Sequence, residues 1–142
     1  MIIESPVIRV GRSPEFLCDH LNDPANLEPL LPEEYVQAFT SEGDQCSFKV
    51  AGGFSVIIKR LEGPSSHHVH YVSQKGTPIR FKLDIEIEAD QADSESATST
   101  LQVRCDAELN PFMKMMAEKP LQSIFSGMAE AVQKAFPVDE SV

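Results

Sequence analysis

The sequence predicts an α+β fold: a seven-stranded curved antiparallel sheet, two short helices after strand 1 and a long C-terminal helix. Three observations carry this. From Tyr35 to Leu109 apolar residues recur with period two, whereas from Pro111 to Phe136 they recur at threes and fours. The segments between the strands are too short for crossover helices, so neighbouring strands run antiparallel. The strands are also dry on one face only. Ile79, Phe81, Leu83, Ile85, Ile87 and Ala89 alternate with Arg80, Lys82, Asp84, Glu86 and Glu88, and Leu101, Val103, Cys105, Ala107 and Leu109 alternate with Thr100, Gln102, Arg104, Asp106 and Glu108.

In chain order, a first strand is expected over Ile2 to Val10. Ser13-Pro14-Glu15 then has the chemistry of a helix start, with Ser13 as N-cap, Pro14 at the first helical position and Glu15 favourable to the helix dipole. Asp23-Pro24 restarts the signal, and Pro29 and Pro32 close the second piece. The six further strands are expected at Tyr35–Ser41, Gln45–Ala51, Phe54–Glu62, His67–Gln74, Ile79–Ala89 and Ala97–Leu109. Turn residues separate them at Glu42-Gly43-Asp44, Gly52-Gly53, Gly63-Pro64-Ser65-Ser66, Lys75-Gly76-Thr77-Pro78 and Asp90 to Glu95.

Asn110-Pro111 opens the last helix as cap and first-turn proline. A rod of about 26 residues spans roughly 39 Å, long enough to lie along the full concave face of the sheet. Pro120 falls inside it and predicts a kink, and Gly127 either permits a close approach to the sheet or loosens the helix.

Bulk properties narrow the function. At 142 residues with no repeat or low-complexity linker, residues 1–142 form a single domain. The net charge of −10 argues against nucleic acid and anionic lipid headgroups as partners. No apolar stretch is long enough for membrane insertion. Cys18, Cys46 and Cys105 are odd in number and lack C-x-x-C spacing, which fits free buried thiols in a reducing compartment. With no signal-peptide pattern at Met1 to Pro6, a cytoplasmic location is expected.

Candidate chemistry is sparse. His68 and His70 share a strand face and are the one metal-like pair, yet the apolar set Val69, Tyr71 and Ser73 points their face to solvent. No carboxylate or thiol is placed by spacing to complete a shell, so neither a metal nor a cofactor is expected. A cyclase would need polar groups turned inward; Tyr35, Tyr71 and His67 are the nominees, with Asp19-His20 on the first helix. Met113, Met115, Met116 and Met128, interleaved with Phe112 and Phe125, fit either an adaptable apolar cavity or a filled core.

The order of elements resembles the helix-grip fold of the START-like (SRPBCC) superfamily. The run Asp106-Ala107-Glu108-Leu109-Asn110-Pro111-Phe112-Met113-Lys114-Met115-Met116-Ala117-Glu118-Lys119-Pro120-Leu121 is similar to the strand-to-helix segment of one bacterial branch. That resemblance implies a cavity between helix and sheet and an apolar small-molecule or lipid-like ligand as the partner. Phe81, Leu83, Ile85, Leu101, Val103, Met116, Phe125 and Met128 are the expected walls. Two alternatives stay open: a partner-interaction protein with a closed core, and a polyketide cyclase-like enzyme.

Overall fold

The computed structural model describes residues 2–50, 54–62, 67–75, 80–89 and 98–137. The first strand is split into β1 (Ile2–Glu4) and β2 (Ile8–Val10). Ser5-Pro6-Val7 interrupts it, because proline has no N–H to give the ladder. Then follow α1 (Pro14–Leu21), a 3₁₀-helix (Pro24–Leu30), β3 (Val36–Glu42), β4 (Gln45–Val50), β5 (Phe54–Glu62), β6 (His68–Ser73), β7 (Arg80–Ala89), β8 (Ser99–Glu108) and α2 (Pro111–Ala135). Ile79 and the turns at 52–53, 63–66, 76–78 and 90–95 lie outside the described residues.

The strands form one sheet in the order β1-β8-β7-β6-β5-β4-β3, with β2 also paired to β8. Every pairing is antiparallel. In the centre, Phe81 faces Ala107, Leu83 faces Cys105, Ile85 faces Val103 and Ile87 faces Leu101, all buried. The intervening residues form the wetter outer face, as alternation requires.

The predicted caps form. Ser13 Oγ accepts from the Phe16 N–H at 3.2 Å, Asp23 Oδ1 from Ala25 at 3.1 Å, and Asn110 Oδ1 from Met113 at 2.8 Å. Each occupies one donor that a helix start leaves open. The second short helix is 3₁₀, with Pro29 inside it, whereas α2 runs unbroken through Pro120.

The concave face is shared. α2 packs on β8, β1, β2 and the 3₁₀-helix, while α1 covers β6 and β7 and the 3₁₀-helix meets β3 and β4. The long helix therefore does not cover the sheet alone. Gly127 explains one of these contacts: a Cβ there would lie 3.3 Å from Pro32 Cγ. The close approach that glycine permits is to the segment after the 3₁₀-helix, not to the sheet.

At the outer edge, β3 carries a bulge. Gln37 pairs with Lys49 and Thr40 with Ser47, so Ala38 and Phe39 together oppose Phe48, and Ala38 takes a φ of 55°.

Candidate functional site

Seven of the eight expected wall residues meet in the layer between sheet and α2. Phe81, Leu83 and Ile85 come from β7, Leu101 and Val103 from β8, and Phe125 and Met128 from α2, and all are buried. The Phe81 and Phe125 rings lie 6.2 Å apart, joining sheet to helix. Leu83 and Val103 are 0% exposed. A side chain beside a void wide enough for water keeps some accessible surface, so the middle of the layer is filled with side chains.

Met116 departs from the expectation. It is 46% exposed, beside the still more exposed Phe112 and Met115. The buried side of α2 begins only at Ala117. α2 meets β8, β1, β2 and the 3₁₀-helix. Its far end lies beside β2, where Gln133 donates to the Arg9 carbonyl and the Phe136 carbonyl accepts from Gly11. Of its residues before Ala117, Met113 is the apolar one packed partly against the core. Helical periodicity assigned Met116 a face but not something to cover it.

The inward polar nominees are occupied or turned away. Tyr71 is buried, and its hydroxyl donates to the Leu21 carbonyl at 2.6 Å; burial raises its pKa. His67 is partly exposed and its Nε2 lies 3.3 Å from Glu15 Oε1. His20 stacks on Phe16 at 5.8 Å and meets Phe136 edge-on at 5.3 Å. Tyr35 packs half-buried against the core. Among the described residues, no buried side-chain nitrogen or oxygen lacks a hydrogen-bond partner. None of these groups forms an acid–base pair aimed into the apolar layer.

The most concentrated polar chemistry sits on the opposite face. His68 and His70 project outward from β6, as parity requires, and Asp84 projects beside them from β7. His68 Nε2 and His70 Nδ1 each lie 2.6 Å from Asp84 Oδ1. The three side chains are 13%, 18% and 20% exposed, which places them at the surface but not free in solvent. Partial burial alone would raise the Asp84 pKa; hydrogen bonds and charge from His68 and His70 outweigh it and hold the carboxyl below its ordinary value. Arg104 stands opposite Asp84 in the ladder, but its guanidinium turns to Glu4, with Nη2 at 3.1 Å and Nε at 3.2 Å from Oε2.

Asp84 is the carboxylate that spacing in the sequence did not place. The β6–β7 register sets it directly across from His70. These three residues form a group able to hold a metal ion, with their candidate ligand atoms all within 4.8 Å of one another.

A cleft of about 690 Å³ opens at the end of β6, β7 and β8, lined by Ser73, Gln74, Arg80, Phe81, Asp106 and Glu108 among others. Its charges alternate in sign, with Arg80 opposite Glu108 and Lys82 opposite Asp106. Phe81 belongs both to this cleft and to the apolar layer. No described helix is long and apolar enough to cross a membrane.

Solved structures share this architecture. The protein XoxI from Bacillus cereus superposes with a TM-score of 0.69 at 18% identity, over 95% of this chain and 94% of that one. A conserved protein from Geobacillus kaustophilus gives 0.65 at 15% identity, over 95% and 94%. The aromatase/cyclase Zhui from a Streptomyces species gives 0.59 at 12% identity, over 96% of each chain. At such identities the likeness is one of fold, and it bears out the START-like helix-grip resemblance. No curated protein matches the sequence. The sequence model of CoxG, a carbon monoxide dehydrogenase subunit, matches residues 7–137. That match covers nearly all of the described structure, and the chain belongs to the CoxG family.

Proposed function

We propose that the chain binds an apolar small molecule or lipid-like ligand between the sheet and α2, and does so in the cytoplasm. The observation that carries this reading is the double position of Phe81. An open cleft of about 690 Å³ is lined in part by Phe81, and the Phe81 ring meets Phe125 within the apolar layer that also holds Leu83. The volume falls within the roughly 300–1,000 Å³ usual for small-molecule sites. A ligand entering past Phe81 would meet Leu83, Ile85, Leu101, Val103, Phe125 and the flexible Met128. Because this layer is filled, entry requires α2 to move away from the sheet. An aromatase/cyclase of the same fold supports the ligand class, but the apolar lining supports binding in preference to catalysis.

A second reading has its own support. Leu83 and Val103 are 0% exposed, while Phe112, Met115 and Met116 leave apolar surface on the first turns of α2. The family takes its name from one subunit of a larger enzyme. A closed core with an apolar docking surface would suit such a partner.

One experiment separates them. A Cβ at Gly127 would lie 3.7 Å from Pro32 Cβ, inside the roughly 3.5–4.5 Å that a disulfide spans. The double variant Pro32→Cys, Gly127→Cys should therefore lock α2 when oxidised. The parent should take up about one equivalent of N-phenyl-1-naphthylamine, or show added mass by native mass spectrometry. The oxidised variant should lose probe uptake and recover it on reduction. A parent with no added mass and no probe uptake would favour the docking reading.

A further inference from the structure

We propose that His68, His70 and Asp84 form a binding site for a divalent transition metal ion, zinc in particular, on the outer face of the sheet. The site lies on the face away from α2 and stands independently of the ligand proposed above.

The geometry comes from the backbone. His68 and His70 are two apart on β6, so their side chains leave the same face about 7 Å apart at the backbone. Asp84 sits directly across the ladder from His70, where opposed side chains start about 5 Å apart. β6 is held on both sides by β5 and β7, so the three attachment points lie on paired interior strands and not on a loop. The side chains already converge: His68 Nε2 and His70 Nδ1 both lie 2.6 Å from Asp84 Oδ1, and the imidazole centroids are 6.2 Å apart.

Metal–ligand bonds of about 2.0–2.2 Å at tetrahedral angles separate neighbouring ligand atoms by about 3.4 Å. Each histidine–aspartate pair therefore has to open by less than about 1 Å, within reach of small side-chain rotations. With the ion on His68 Nε2 and His70 Nδ1, each neutral imidazole would carry its one proton on the other ring nitrogen, Nδ1 of His68 and Nε2 of His70, and any second ring proton would pass to solvent. Two imidazole nitrogens with one carboxylate oxygen suit zinc, cobalt, nickel or copper in preference to magnesium or calcium, which choose all-oxygen shells.

Two features distinguish this group from an ordinary surface ion pair. Arg104, the cation facing Asp84 in the ladder, is drawn off by Glu4, leaving the carboxylate to the histidines. The three side chains also keep 13%, 18% and 20% exposure. The ion would thus have protein ligands on one side and solvent on the other, with room for water at a fourth position.

The test uses tag-free protein stripped with a chelator and titrated with zinc chloride by calorimetry. The parent and His67→Ala should each bind about one equivalent, because His67 faces Glu15 instead. Asp84→Asn, which keeps size and hydrogen bonding, and His70→Ala should each weaken binding at least about tenfold. Circular dichroism checks that both variants fold. Cobalt should give the visible absorption of a tetrahedral site in the parent and lose it in Asp84→Asn. As a readout that needs no variant, zinc should shift the imidazole resonances of His68 and His70 but not those of His20 or His67. The proposal fails if the parent takes up no stoichiometric zinc, if a folded Asp84→Asn binds as the parent does, or if the resonances that move belong to other histidines.

Discussion

The hydroxyl of Tyr71, on β6, donates to the main-chain carbonyl oxygen of Leu21, the last residue of α1, at 2.6 Å. It joins residues 50 apart in sequence and fixes where the first helix ends over the sheet. The same carbonyl lies at a helix terminus, where intrahelical donors run out. Tyr71→Phe removes the donor and leaves that acceptor buried. The expected loss is about 1–3 kcal/mol, read as a lower urea midpoint with an unchanged slope. An unchanged midpoint would mean that the carbonyl finds another donor.

Ala38 holds a φ of 55° at the β3 bulge, exposed to solvent. That backbone region suits glycine and penalises a Cβ. Ala38→Gly should raise stability by up to about 1 kcal/mol, and Ala38→Val should lower it by at least as much. Thermal melts of the pair check both signs.

Burial pushes the thiols of Cys46 and Cys105 up to about 12. An unfolded thiol titrates near about 8.5, so the neutral form is favoured in the native chain. This contribution is fully present below the unfolded value and is lost as pH rises from there toward the folded one. Stability should therefore decline above about pH 8.5. Dithionitrobenzoate at pH 8 should leave both thiols unmodified until denaturant is added. Rapid native labelling of either would contradict their burial.

The chain carries 22 acidic against 12 basic residues, a net charge of −10. The described ion pairs at Glu4–Arg104 and Glu15–His67 are exposed and offset little of that repulsion. The melting temperature should climb from low to moderate sodium chloride as screening sets in over about 10 Å. A falling curve would show that local pairing outweighs the surplus.

Much of this architecture was legible because it follows from short-range rules. Alternation in β7 and β8 assigned each residue its face, and Ser13, Asp23 and Asn110 announced their helices through cap chemistry. The long helix was found by period, but period does not reveal what a face meets. Met116 and Phe112 fit the apolar pattern of α2 yet stand beyond the layer. The group at Asp84 was invisible for a different reason. Parity within β6 placed His68 and His70 on one side, but their partner depends on the register between β6 and β7. A shift of one residue in that register would have put apolar side chains beside them, Leu83 or Ile85 across from His70.

The interruptions at the two margins of the sheet have a consequence for solubility at high concentration. An unbroken outer strand offers a row of free N–H and C=O groups on which another chain can extend the sheet. Here the Ser5-Pro6 break divides one margin into β1 and β2, each of 3 residues. The Ala38–Phe39 bulge bends the other margin near its start. Neither side presents a long straight template, so neighbouring molecules meet edges they cannot extend, and recruitment into fibrils is hindered at both ends of the sheet.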